Sequence, residues 1–303
     1  MRTPPDDWAF PEITDNIVRR YRENYSIPPD VPVTRQMVQH HMELEYGLKE
    51  VLLDSAPESR ASVWAECYDK LYQDLPWLAS AASVEPESVG EQYGHFLKLI
   101  PRGARVIEIG SGLGTLARLL TEHERPCIAT EITLERGIRE DGRLEWHSTD
   151  GVHLEEFESH AYDFVLSTQV VEHLHPDDIQ RHFEGAYALL RQGGSYIVET
   201  PHAFLGPADL SRVLALDRPR FMHLKEYTHR ELGTAAYRAG FRRRSAIYLP
   251  PTAARRRLPI MLKGRWLYSY LGLMEKIMQH ARPPKIVLRA LLFHGNAFMI
   301  VTK

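Results

Sequence analysis

The stretch RVIEIGSGLGT, Arg105–Thr115, decides the fold of this chain. Four residues suited to a buried strand, Val106–Ile109, run directly into glycines at 110, 112 and 114, and one of the four, Glu108, is acidic. A strand followed at once by residues without side chains brings backbone N–H groups close to a ligand. The dinucleotide fingerprint G-x-G-x-x-G is not met: Gly114 comes one position early, and Thr115 stands where the third glycine belongs. That departure weakens a nicotinamide reading. A phosphate loop needs G-K-[ST], which is absent.

Around this turn, strand-like runs alternate with helical ones. Strands are predicted at 105–110, 126–132, 144–149, 162–168, 194–200, 243–249 and 297–302, and helices near 113–122, 133–139, 177–191 and 228–239. This order predicts a parallel α/β sheet covered by helices on both faces. Two further carboxylates sit at strand ends. Glu131, twenty-one residues beyond Gly110, closes the second strand, where it can accept hydrogen bonds from a ribose diol. Asp150 follows the third strand, within reach of an adenine amino group.

With these residues in order, the chain resembles class I S-adenosylmethionine-dependent methyltransferases over about 90–250 plus the last strand. VIEIGSGLGTLARLL resembles the first motif of that family, YDFVLSTQVVEHL the fourth-strand motif, LLRQGGSYIVETPH the fifth-strand motif, and YTHRELGTAAYRAGF the helix before strand six. The resemblance implies a seven-stranded Rossmann-like methyltransferase sheet with an N-terminal helical extension and an insertion before the last strand. It implies a cofactor site made of Glu108, Gly110, Ser111, Gly112, Gly114, Thr115, Glu131, Ile132, Asp150, Gly151, Thr168 and Gln169. Tyr93, on the helix read at 91–100, joins them. Glu108 is expected to orient the glycine loop or to meet the cofactor's amino group.

Methyl transfer needs donor and acceptor in line, with removal of a proton from the acceptor where required. The fourth and fifth strands of this family end on the methyl side of the cofactor. STQVVEHLHPDD and ETPHAF fall there, with His173, His175 and His202, and with His223 and His229 downstream. Histidine titrates near neutrality, so His173, beside Glu172 at the start of a short helix, is the first candidate base. His175, next to Pro176 and Asp177, reads as exposed. QVVEH, 169–173, also resembles the E-x-x-E-H element of metal-dependent ubiquinone-pathway and small-RNA 2′-O-methyltransferases, with Gln169 at the first glutamate. That resemblance implies Glu172, His173 and His223 as ligands of Mg²⁺ or another divalent ion.

Charge divides the 303 residues unevenly. Residues 1–90 carry 8 Lys/Arg against 16 Asp/Glu, and residues 251–303 carry 10 against 1. Three regions follow: 1–90, a helical cap or lid; 91–250 with 294–303, the methyltransferase domain; and 251–293, a basic amphipathic insertion. The first region predicts helices at 34–53, capped by Thr34, and at 59–78, with Trp64, Tyr68, Tyr72 and Trp77 available to stack on a substrate or to pack a core. The basic insertion suits an anionic membrane surface, a second copy of the chain, or the sheet edge. Nucleic acid is disfavoured by a pI near 6.6 and the lack of a recognised RNA-binding module.

Two isolated cysteines, Cys67 and Cys127, make neither a metal motif nor a disulfide framework. No run of eighteen apolar residues occurs, and MRTPPDDWAF does not read as a secretory signal. A cytoplasmic enzyme is expected, with peripheral contact at the inner face of a membrane through 251–293. The leading expectation is an O-methyltransferase of a small-molecule, sugar or lipid-linked hydroxyl. The alternatives are a nucleic-acid 2′-O-methyltransferase and a non-catalytic cofactor-binding scaffold.

Overall fold

The computed structural model describes residues 9–79, 86–133, 142, 144–250, 260–279, 284–291 and 295–303. The chain divides into two compact units. The first joins Met1–Val84 with Gly206–Leu224, so the sequence boundary near residue 90 misses a returning segment that the sequence reading placed in the methyltransferase domain.

In the first unit, helix α1 spans Asp15–Asn24, α2 Arg35–Leu53, α3 Arg60–Asp74 and α4 Pro76–Ala79. Thr34 caps α2 as expected, its hydroxyl accepting from Met37 N at 3.2 Å. Pro76 stops the second helix, as its place in the sequence predicts, because it has no N–H to continue the ladder, and it starts α4 instead. Helix α1 was not expected, although Ile17, Val18 and Tyr21 of DNIVRRYREN fall on one face. It is held by tertiary packing, with Tyr21 buried against Val38, Met42, Leu210 and Phe221. The apolar periodicity of α2 also conceals a polar core. Trp77 Nε1 donates to Tyr21 Oη at 2.9 Å, Tyr21 Oη lies 2.7 Å from His41 Nδ1, and His41 Nε2 lies 2.7 Å from Glu45 Oε1. Trp64, 4% exposed, and Trp77 are packing residues of this unit.

The second unit begins with α5 (Pro86–Tyr93) and α6 (Phe96–Leu99), then β1 (Val106–Ile109), α7 (Thr115–Glu122), β2 (Cys127–Glu131), β3 (Glu145–Ser148) and β4 (Tyr162–Thr168). After α8 (Ile179–Leu189) come β5 (Leu190–Pro201), α9 (His229–Ala239), β6 (Arg243–Tyr248), β7 (Leu262–Gly264), α10 (Arg265–Met278), α11 (Lys285–Ala290) and β8 (Asn296–Thr302). The helix expected near 133–139 lies largely outside the described residues, as do Arg255–Arg257.

The sheet has eight strands in the order β3-β2-β1-β4-β5-β8-β6-β7, one more than the seven expected. The strands β1 to β5 pair in parallel, and β8 inserts antiparallel between β5 and β6. The extra strand arises because β6 would otherwise end the sheet with unpaired backbone groups. Leu262, Lys263 and Gly264 pair there with Tyr248, Ile247 and Ala246. Part of the basic insertion is therefore built into the sheet. One core side packs Phe96, Ile100, Val106, Leu116, Leu120, Ala129, Leu166 and Ile197. The order reverses between β1 and β4, so the carboxyl ends of these two strands flank the crevice where open α/β sheets bind ligands.

Candidate active site

The glycine turn begins at that crevice. Gly110 has φ +69°, and a Cβ built on it would lie 2.5 Å from Val170 Cγ2. The loops after β1 and β4 thus touch, and only a residue without a side chain allows it. Gly114, with φ +72°, ends the turn, and a Cβ there would meet the Trp146 ring at 2.6 Å. Helix α7 starts at Thr115, so the turn feeds directly into a helix N-terminus. Ser111 holds the base of the turn: its hydroxyl donates to Glu108 O at 3.2 Å and accepts from Thr130 N at 3.2 Å.

The three carboxylates differ in their partners. Glu131 is 7% exposed; its Oε2 accepts from Gly112 N at 2.7 Å and its Oε1 from Ile132 N at 2.9 Å. It braces the glycine turn, and each oxygen retains a further lone pair for a diol. Asp150 organises its own loop. Oδ1 accepts from Val152 N at 2.9 Å and His153 N at 2.7 Å, and Oδ2 lies 2.6 Å from His153 Nδ1. These bonds hold its carboxyl below the usual range against the opposing effect of burial. The adjoining Gly151 carbonyl lies 2.6 Å from His182 Nδ1, whose Nε2 is 2.6 Å from Tyr196 Oη, and Tyr196 Oη is 2.5 Å from Ser167 Oγ. This buried chain ties the Asp150 loop to Ser167 near the end of β4 and to the middle of β5; sequence pattern showed no sign of it.

Glu108 is 2% exposed, and its Oε2 has no hydrogen-bond partner. Burial pushes its carboxyl up to about 8, opposed by the Ser111 hydroxyl and the Ala117 N–H. Tyr93 sits close enough to feel it: burial, then the charges of Glu108 and Glu199, raise the phenol to about 12. Thr168 is half-buried at the end of β4. The exposed Gln169 has φ +57° and donates its N–H to Glu199 O at 2.8 Å, a left-handed backbone at the mouth of the crevice. A glycine cradle, a carboxylate braced against it with lone pairs to spare and an orphaned buried carboxylate oxygen fit a ligand that carries both a ribose and a cation.

Beyond β4, residues 171–173 form a turn rather than the expected helix, with His173 N donating to Val170 O at 2.9 Å. His173 is half-buried. Glu172 is fully buried, and its Oε2 accepts from Thr200 Oγ1 at 2.8 Å. The Tyr227 hydroxyl is buried without a partner, and burial, then the charges of Glu231 and Glu172, raise it above the ordinary phenol range. Thr200 and Tyr227 were not singled out in the sequence; burial and proximity to Glu172 identify them. His175 is buried, not exposed, its Nδ1 accepting from Asp177 N at 3.2 Å. His223 belongs to the first unit, where it is 8% exposed and its carbonyl accepts Lys49 Nζ at 2.7 Å.

His202 and His229 are withdrawn from catalysis by Glu275, a residue of α10 that is 1% exposed. Glu275 Oε1 lies 2.9 Å from His202 Nε2 and 2.9 Å from His229 Nδ1, and it accepts from His229 N at 2.9 Å. Its Oε2 accepts from Arg230 N at 3.0 Å, so a remote carboxylate caps α9. The trio has the composition of a metal site. However, His202 Nδ1 accepts from Phe204 N at 3.1 Å, so a neutral ring must carry its proton on Nε2 and offers no lone pair there. The cluster reads as a clamp between α9 and α10. Hydrogen bonds from the two histidines hold the Glu275 carboxyl down to about 2 despite its burial.

Comparisons with known proteins agree with this architecture. No curated protein matches the chain. An S-adenosylmethionine-dependent methyltransferase of Archaeoglobus fulgidus superposes with a TM-score of 0.51 at 16% identity, over 72% of this chain and 95% of its own. A Burkholderia thailandensis 1,6-didemethyltoxoflavin-N1-methyltransferase, solved with its substrate and S-adenosylhomocysteine, gives 0.49 at 17% identity, over 82% and 91%. Residues 86–246, which contain the glycine turn, all three carboxylates and Tyr227, match the methyltransferase domain family, and the chain belongs to it as an S-adenosylmethionine-dependent methyltransferase.

Proposed function

We propose that the protein methylates a hydroxyl oxygen of a small-molecule, sugar or lipid-linked acceptor, with His173 as the base. When bound, S-adenosylmethionine supplies the methyl group. Gly110, Gly112 and Gly114 present backbone to it, Glu131 faces its ribose, and the ionised Glu108 faces its cationic amino-acid end. The observation that carries the acceptor side is the arrangement at the ends of β4 and β5. A half-buried imidazole, His173, follows the fully buried Glu172, which is fixed by Thr200. A neutral histidine at a crevice mouth takes a proton from a hydroxyl as the oxygen attacks, and Glu172 keeps that end of the loop in place.

Formation of S-adenosylhomocysteine, followed over a panel of hydroxyl and amine acceptors, tests the reading. Turnover with a hydroxyl acceptor that falls by about 10²–10⁴ in His173→Ala, with cofactor affinity unchanged, supports it. Turnover confined to amines overturns the oxygen assignment. Activity abolished by chelator and restored by Mg²⁺ would overturn His173 as a metal-free base.

A further inference from the structure

We propose that the outer face of α10, with α11 beside it, docks on an anionic lipid surface. Helix α10 is apolar on two sides. Its inner seam buries Leu267, Leu271 and Met278 with Ala246 of β6 and Leu288 of α11. At about 100° per residue, Trp266, Leu273 and Ile277 fall within about 40° of one another, on a different side of the helix from that seam. They are 58%, 54% and 58% exposed, and α11 adds Ile286 at 77% and Val287 at 42%. Isolated exposed apolar residues are ordinary; a stripe of large ones along one helix marks an interaction surface. The Trp266 indole lies close over Gly264, where an added Cβ would come within 2.7 Å of it.

The charge around the stripe selects the partner. Residues 251–293 contain nine Lys/Arg and one acid. That acid, Glu275, points inward, where it is 1% exposed and bonded to His202, His229 and the start of α9. Lys263, Arg265, Lys276, Lys285 and Arg289 are all exposed. Arg265 and Lys276 lie on the flank of the stripe away from the buried seam, about 80–100° around the helix. A basic flank beside aliphatic residues and an indole suits the boundary between anionic headgroups and acyl chains. A second copy is a poor occupant, since a two-fold contact would bring the same basic flanks together. A single indole among aliphatic side chains also falls short of the row of aromatic faces on which a nucleic acid stacks. Helix α10 has 14 residues, too short to cross a bilayer, so it would lie on the surface.

The experiment is sedimentation of the full chain with phosphatidylcholine–phosphatidylglycerol vesicles and with phosphatidylcholine vesicles alone. Expected is partition at least about tenfold stronger onto the anionic vesicles, reversed by salt. Leu273→Glu with Ile277→Glu should abolish it, and Arg265→Glu with Lys276→Glu should weaken it about tenfold or more. None of these residues touches the glycine turn, so unchanged S-adenosylmethionine affinity in each variant shows that the fold is intact. Failure of the wild type to sediment with anionic vesicles at low salt overturns the proposal. So does sedimentation that survives the two glutamates on the stripe. A dimer that those glutamates dissociate, or oligonucleotide binding, without vesicle binding also overturns it.

Discussion

On the proposed placing of Glu108 against the cofactor's cationic end, cofactor affinity should rise by an order of magnitude or more between about pH 6 and about pH 8, because binding would then take a proton from Glu108. In the unliganded protein burial raises this carboxyl from 4.5 to about 8. The folded state therefore holds a proton that the unfolded chain releases. The associated stability is complete below about 4.5 and is lost as the pH climbs toward 8, a change on the order of 4–5 kcal/mol. A cationic ligand end against Glu108 favours the carboxylate and pulls its pKa back down. With a pKa near 8 the ionised fraction is about 1% at pH 6 and about half at pH 8. Titration calorimetry in two buffers of different ionisation enthalpy should show close to one proton released per cofactor bound near pH 6, falling toward half at pH 8. Glu108→Gln should bind more weakly, release no such proton and show a flatter pH dependence. A wild type whose affinity and proton release match those of Glu108→Gln across this range would refute the reasoning.

Glu131→Ala removes the bonds to Gly112 and Ile132 as well as the ribose acceptor, and should weaken S-adenosylmethionine binding at least about tenfold by calorimetry. Gly110→Ala places a methyl group against Val170 at positive φ and should destabilise the protein by about 1–3 kcal/mol in denaturant melts; combining it with Val170→Ala should recover part of that loss. Glu275→Ala leaves two buried histidines and two helix N–H groups without their acceptor and should cost about 3–5 kcal/mol. The wild-type carboxylate is held near 2 against an ordinary 4.5, so its contribution is complete above about 4.5 and fades as pH falls toward 2, a trend that thermal melts of Glu275→Gln should lack.

Much of the second unit was legible in the sequence because its signals are local. A buried strand, a turn that only glycines can make, and carboxylates at strand ends are each dictated by a few adjacent residues, and their order specified the parallel strands β1 to β5 with the crevice at Gly110, whereas β6, β7 and β8 pair antiparallel and depart from the all-parallel sheet expected. Pairing partners are not local. Whether β6 acquires an eighth neighbour depends on an unpaired edge that exists only in the folded sheet. The 206–224 segment likewise returns to the first unit through contacts far apart in sequence, such as Lys49 to the His223 carbonyl. The histidines show the limit most plainly. In the sequence His173 stood out only by following Glu172, His175 read as exposed, and His202 and His229 were further titratable groups near the catalytic zone. The fold buries His175, binds His202 and His229 to a glutamate 73 and 46 residues away, and leaves His173 half-buried. Residue type sets what an imidazole can do, but its role follows from which acceptor the tertiary structure brings within 3 Å, because burial and hydrogen bonding decide where its proton resides.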